Sequence, residues 1–103
     1  MNHSRVELLK KFIDEDPADP FNYYALALEY IDSDPESARE LFDQLLNHHP
    51  DYLPVYYTAG KLYADLGNEA KAQDILITGI ELAKSKLDVK ALRELQSALL
   101  NLM

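Results

Sequence analysis

The chain has no cysteine and no tryptophan, and only three glycines among its 103 residues. Without cysteine there is no disulfide framework, no thiolate nucleophile and no cysteine-ligated zinc. A reducing compartment suits such a chain, and a cytoplasmic protein is expected. So few glycines form no glycine-rich loop of the kind that cradles phosphate. No stretch approaches the ~18 consecutive apolar residues that a membrane helix needs. The opening residues, Met1-Asn2-His3-Ser4-Arg5-Val6-Glu7, run into charge rather than into an apolar core, so neither a signal peptide nor a membrane contact is expected. Alternating β-branched runs of strand length are also missing, which predicts no strands.

Positive charge is scarce in one half only. Residues 1–51 hold twelve acids against the four bases Arg5, Lys10, Lys11 and Arg39, while residues 52–103 hold six of each. The whole net charge of −8 therefore sits in the first half. This argues against nucleic acid, whose phosphate backbone is held by Lys and Arg. A basic partner fits, and so does the simpler role of acids in keeping a small protein soluble.

What is present is helical. Hydrophobic residues make up 48% and charged residues 27%, a globular composition for one domain over 1–103. Asp19-Pro20 and Asp34-Pro35 place an N-cap acceptor before a proline suited to the first helical turn. Gly67-Asn68 reads as a helix-ending glycine followed by the next N-cap, and Lys86-Leu87-Asp88 as another start. His48-His49-Pro50-Asp51 reads as the end of one helix and the beginning of the next. Six helices are predicted, over 4–15, 20–32, 35–48, 53–66, 69–84 and 89–101, joined by short connections that favour antiparallel neighbours.

The helices repeat. Tyr23-x2-Leu26-Ala27-x2-Tyr30 followed by Ala38-x3-Phe42 returns, 33 to 34 residues later, as Tyr56-x2-Ala59-Gly60-x2-Tyr63 followed by Ala72-x3-Leu76. The small residues let two helices approach closely, and the tyrosines flank them on one face. Val6, Leu9, Phe12, Ile13 and Pro17 echo the second helix of the first copy, with Arg5 at the place of the small Ala38. Leu92, Leu95, Leu99 and Leu102 form one stripe at the other end.

This pattern and period resemble the tetratricopeptide repeat, as in a small bacterial-type domain of that family. The resemblance implies an all-α fold, a right-handed α-solenoid of two helix pairs. Repeat 1 would span 20–50 and repeat 2 would span 53–84. A half-repeat helix would precede them, and a capping helix at 89–101 would follow. Leu45 and Gly79 stand where the family prefers Ala, and Tyr takes the place of its common Trp. Gly79 within a helix costs on the order of 1 kcal/mol relative to Ala. A side chain packed on it, from the C-terminal helix, would account for it.

The first helix of each copy carries a second apolar stripe: Phe21, Tyr24, Leu28 and Ile31, then Pro54, Tyr57, Lys61 and Ala64. A helix apolar on two faces either buries both or offers one to a partner. The resemblance places these positions in a concave groove. It implies a peptide-binding site made by Phe21, Tyr24, Leu28, Tyr57 and Lys61, with the tyrosines as amphipathic anchors. The terminal helices could instead cover this face. Ala25 and Thr58 stand where the carboxylate-binding members of the family carry Asn, so a ligand with apolar or aromatic side chains and a basic residue fits better than an acidic tail.

Catalytic chemistry finds no support. His48 and His49 are neighbours about 100° apart on a helix and cannot chelate as an i,i+4 pair does. The serines lack a nucleophile-elbow context. No enzyme, cofactor or metal is expected, and the reading is a protein–protein interaction module, an adapter or scaffold. Two readings stand beside it: a homodimer, paired through an apolar stripe or the Leu-rich C-terminal helix, and a structural subunit of a larger assembly.

Overall fold

The computed structural model describes residues 1–103, and these form six α-helices and no strand. They are α1 His3–Glu15, α2 Pro20–Tyr30, α3 Pro35–His48, α4 Pro54–Asp65, α5 Glu69–Lys86 and α6 Val89–Asn101. The chain divides into two compact units, Met1–Tyr52 and Leu53–Met103. The unit boundary falls next to Asp51, the last of the surplus acids, so the first unit carries the whole net charge.

Side-chain caps set most of the helix starts. Asp19 accepts from the Phe21 amide at 3.0 Å and Asp34 from the Ser37 amide at 3.2 Å. Asn68 accepts from Lys71 at 3.1 Å and Asp88 from Ala91 at 3.0 Å. Each satisfies an amide that the first helical turn leaves without a partner. α4 is the exception. Asp51 does not cap it; a turn closed by the Tyr52 amide on the His49 carbonyl intervenes, and Pro54 opens the helix behind Leu53 with no side-chain cap. α2 ends at Tyr30, two residues short of the predicted 32, and the Asp34 amide closes its end on the Tyr30 carbonyl at 2.7 Å.

α4 and α5 end alike. The Asn68 amide reaches back to the Tyr63 carbonyl at 2.9 Å, and the Asp88 amide to the Ala83 carbonyl at 3.0 Å. Each closing turn needs a residue of left-handed conformation, Gly67 at φ +86° and Leu87 at φ +56°. Leu87 takes a glycine's place, and α5 runs two residues beyond the predicted 84 to reach it.

In the first unit α2 packs on both α1 and α3. Val6 and Leu9 of α1 meet Leu26 of α2 in one core, with Ile13, Ala25, Tyr30 and Leu41 against it. Ala27, Ala38 and Phe42 are fully buried. In the second unit α4, α5 and α6 all touch one another. The small residues act there as expected. A Cβ added to Gly60 would stand 2.6 Å from Leu76 Cδ2. At Gly79 it would meet Tyr56 Cβ at 2.6 Å and Leu95 Cδ2 at 3.1 Å. The C-terminal helix does pack on Gly79, through Leu95, but Tyr56 of α4 comes closer.

The inner tyrosines differ between the copies. Tyr56 and Tyr63 are buried, whereas Tyr23 and Tyr30 are half-buried. Tyr23 has a polar exit, its hydroxyl donating to the Pro17 carbonyl at 2.8 Å.

Candidate peptide-binding faces

On α2 the second stripe divides into two kinds of residue. Phe21 and Leu28 are exposed, at 57% and 45%. Tyr24 between them is half-buried and turns its ring toward the interior of its unit. It lies 6.2 Å from the Phe42 ring and 5.7 Å from the Tyr52 ring, the latter edge-on. Offset and edge contacts of this kind suit the ring quadrupoles. Burial pushes the Tyr52 hydroxyl above its ordinary pKa, and the nearby Tyr24 and Asp19 add to the rise. Tyr24 therefore supports the face that Phe21 and Leu28 present.

On α4 the stripe borders a cleft. Tyr57, Gly60, Lys61, Ala64 and Asp65 form one wall, and Leu76 of α5 closes the bottom. Ser97, Ala98, Asn101 and Leu102 of α6 form the other wall. The cleft holds about 180 Å³. α6 is a wall here, and Lys61 stays exposed. The Lys61 ammonium stands 5.3 Å from the centre of the Tyr57 ring. That cation–π contact fixes both side chains at the mouth of the cleft. Small or apolar residues line the inside (Gly60, Ala64, Leu76, Ala98), and polar ones rim it (Lys61, Asp65, Ser97, Asn101).

Of the five residues expected at the site, the structure joins Tyr57 to Lys61 in one cleft and sets Phe21, Tyr24 and Leu28 along α2. α6, the alternative cover for this face, forms one wall of the cleft, and only the residues it contributes were not foreseen. Their signal was small: Ser97 and Asn101, one turn apart around Ala98, interrupt an otherwise Leu-rich helix.

A second cleft, of about 250 Å³, lies in the first unit among Pro17, Tyr23, Gln44, Leu45, His48 and His49. His48 is the only basic residue in the last turn of α3. The His49 amide closes that helix on the Leu45 carbonyl at 2.8 Å. A histidine at a helix C-terminus lies favourably in the field of the exposed carbonyls.

The repeated helix pairs, with small residues at their crossings, agree with a direct comparison. A family model described as tetratricopeptide repeat matches residues 29–99. The chain belongs to the tetratricopeptide repeat family. Two solved structures of a tetratricopeptide repeat domain protein from Salinibacter ruber are similar to it. The crystal structure is 42% identical, with a TM-score of 0.77, and the match covers 82% of this chain and 94% of that one. The solution NMR structure is 43% identical, with a TM-score of 0.79, and the match covers 84% of this chain and 89% of that one. No curated protein matches the chain. Tetratricopeptide repeats generally mediate protein–protein interaction and are generally not catalytic. No helix here is long and apolar enough to cross a membrane.

Proposed function

We propose that this tetratricopeptide repeat protein is an adapter that binds a peptide segment of another protein, with Tyr57 and Lys61 on α4 as one contact face and, in the other unit, Phe21 and Leu28 on α2, backed by Tyr24, as another. The observation that carries this reading is the cleft between α4 and α6. It has an apolar interior large enough for one bulky side chain, a polar rim, and an aromatic anchor held at its mouth by a cation. Interfaces draw most of their energy from a few such anchors in desolvated pockets. The ligand it suits presents an apolar or aromatic side chain, with hydrogen-bonding groups on either side for Asn101, Ser97 and Asp65. The exposed Phe21 and Leu28 offer further apolar contact of the same kind.

The test is selection of a random-peptide library on the intact chain, followed by amide chemical-shift mapping with a selected peptide. Shifts at Tyr57, Lys61, Ser97 and Asn101 are expected. Tyr57→Ala should weaken the peptide about tenfold or more, since truncating an anchor typically loses ~2 kcal/mol. Selected peptides that map elsewhere, or that bind Tyr57→Ala unchanged, would overturn this reading.

A further inference from the structure

Helices α1, α3 and α5 are of the second type, the second of a repeat pair, and share one spacing, while α2 and α4 are of the first type. Arg5, Leu8 and Phe12 of α1 stand where α5 has Ala72, Ile75 and Gly79. On α5 a first-type helix covers these places. Ala72 is fully buried and Ile75 is 5% exposed, and Tyr56 of α4 lies directly over Gly79. On α3 the counterpart of Phe12 is Leu45, which is 1% exposed. α1 has no first-type helix over it. Leu8 is 49% exposed and Phe12 39%, one turn apart on the same side of the helix. This apolar face lies outside the residues assigned to peptide binding.

We infer that this face of α1 receives a basic amphipathic helix from a partner protein. The face supplies the apolar seat that every other second-type helix fills within its own unit. Charge selects the occupant. The first unit holds twelve acids and four bases, and three of those bases are already engaged. Arg5 meets Glu29 at 2.7 Å, Lys10 meets Glu7 at 3.8 Å, and Arg39 meets both Glu36 and Asp43. Beyond Phe12 the stripe runs into Glu15 and Asp16, neither of which makes an ion pair. The last turn of α1 also has no basic residue to offset its free carbonyls. Helix dipole and side chains thus add to one negative field at the end of the stripe. A helix with Lys or Arg beside its apolar face covers Leu8 and Phe12 and neutralises that field. A second copy of this chain would bring a further unit of net charge −8 against it.

The experiment titrates the isotope-labelled intact chain with three synthetic peptides of about four helical turns. One is an amphipathic helix of Leu, Ala and Lys. Another carries Glu in place of each Lys. The third has the composition of the first, scrambled to remove the apolar face. The first alone should shift amides around Leu8 and Phe12, and added salt should weaken it. Phe12→Ser should lower its affinity about tenfold or more. Glu15→Lys, at an exposed position that leaves the core untouched, should weaken it as well. Equal binding of the scrambled peptide, shifts confined to other helices, or an unchanged affinity in both variants would overturn the inference. So would a dimeric mass in sedimentation that Phe12→Ser returns to a monomer, because the occupant would then be a second copy.

Discussion

Tyr56 of α4 lies so close over Gly79 of α5 that a Cβ on the glycine would stand 2.6 Å from the Cβ of the tyrosine. The contact involves atoms next to two helix backbones, so no rotamer change relieves it. Leu95 of α6 closes the same spot from a third side at 3.1 Å.

Gly79→Ala is therefore expected to destabilise the protein by ~1–3 kcal/mol, as overpacking of a tight core does. Alanine's better helix propensity, ~1 kcal/mol, opposes this and does not cancel it. Chemical denaturation checks the sign. A variant more stable than the parent would show that the helices can separate freely. Gly60→Leu should behave in the same direction, because Leu76 Cδ2 and Cγ lie 2.6 and 2.7 Å from the added atom.

Leu87→Gly should act the other way. The residue is 85% exposed, so little packing is lost, and its φ of +56° is unfavourable for any side chain. Left-handed backbone costs an L-residue roughly 1–2 kcal/mol, partly offset by the greater freedom of glycine in the unfolded chain. A net gain of about 0.5–1 kcal/mol is expected. A lower denaturation midpoint would contradict the left-handed turn at the end of α5.

Asp34 offers a pH-dependent test. Its carboxylate accepts from the Ser37 hydroxyl at 2.6 Å and from the Ser37 amide at 3.2 Å. The hydroxyl bond, then the amide bond, holds its pKa below the ordinary aspartate value. A carboxyl whose pKa is lower when folded stabilises the protein above its unfolded pKa, and that stability is lost as pH falls through the lower folded value. Ser37→Ala removes the larger cause and leaves the amide, so the Asp34 carboxyl should titrate closer to the ordinary value. A carbon-detected NMR titration in acid reads this directly, and an unmoved midpoint would assign the shift to the cap alone.

The two outer tyrosines should separate in mutagenesis. Tyr24→Ala removes ring contacts to Phe42 and Tyr52 and should lower stability by several kcal/mol, in the ~3–5 kcal/mol range of buried aromatics at most. Tyr57→Ala sits at the mouth of an open cleft and should cost less. Thermal midpoints measured side by side decide this. If Tyr24→Ala melts with the parent while Tyr57→Ala collapses, the roles given to the two rings are reversed.

The sequence alone determined the six helices, the capped starts of α2, α3, α5 and α6, and the repeated crossings. Those features are local. An Asp or Asn cap acts within three residues, Gly67 ends a helix by its own freedom at positive φ, and small residues recur at the helical period. Gly79 was legible as an anomaly that needed a neighbour. Tertiary structure decided which neighbour, since Tyr56 approaches from one helix and Leu95 from another. It also decided what each outer-stripe residue does. Phe21, Tyr24 and Leu28 share one pattern in the sequence, yet only Tyr24 finds rings to lean on, because Phe42 and Tyr52 are brought to it by different segments. The α6 residues that wall the cleft and the left-handed Leu87 were hidden for the same reason. A wall depends on where a distant helix is laid. Leu87 adopts a glycine's conformation because the closing bond from Asp88 to Ala83 and the start of α6 hold it there, against its own preference.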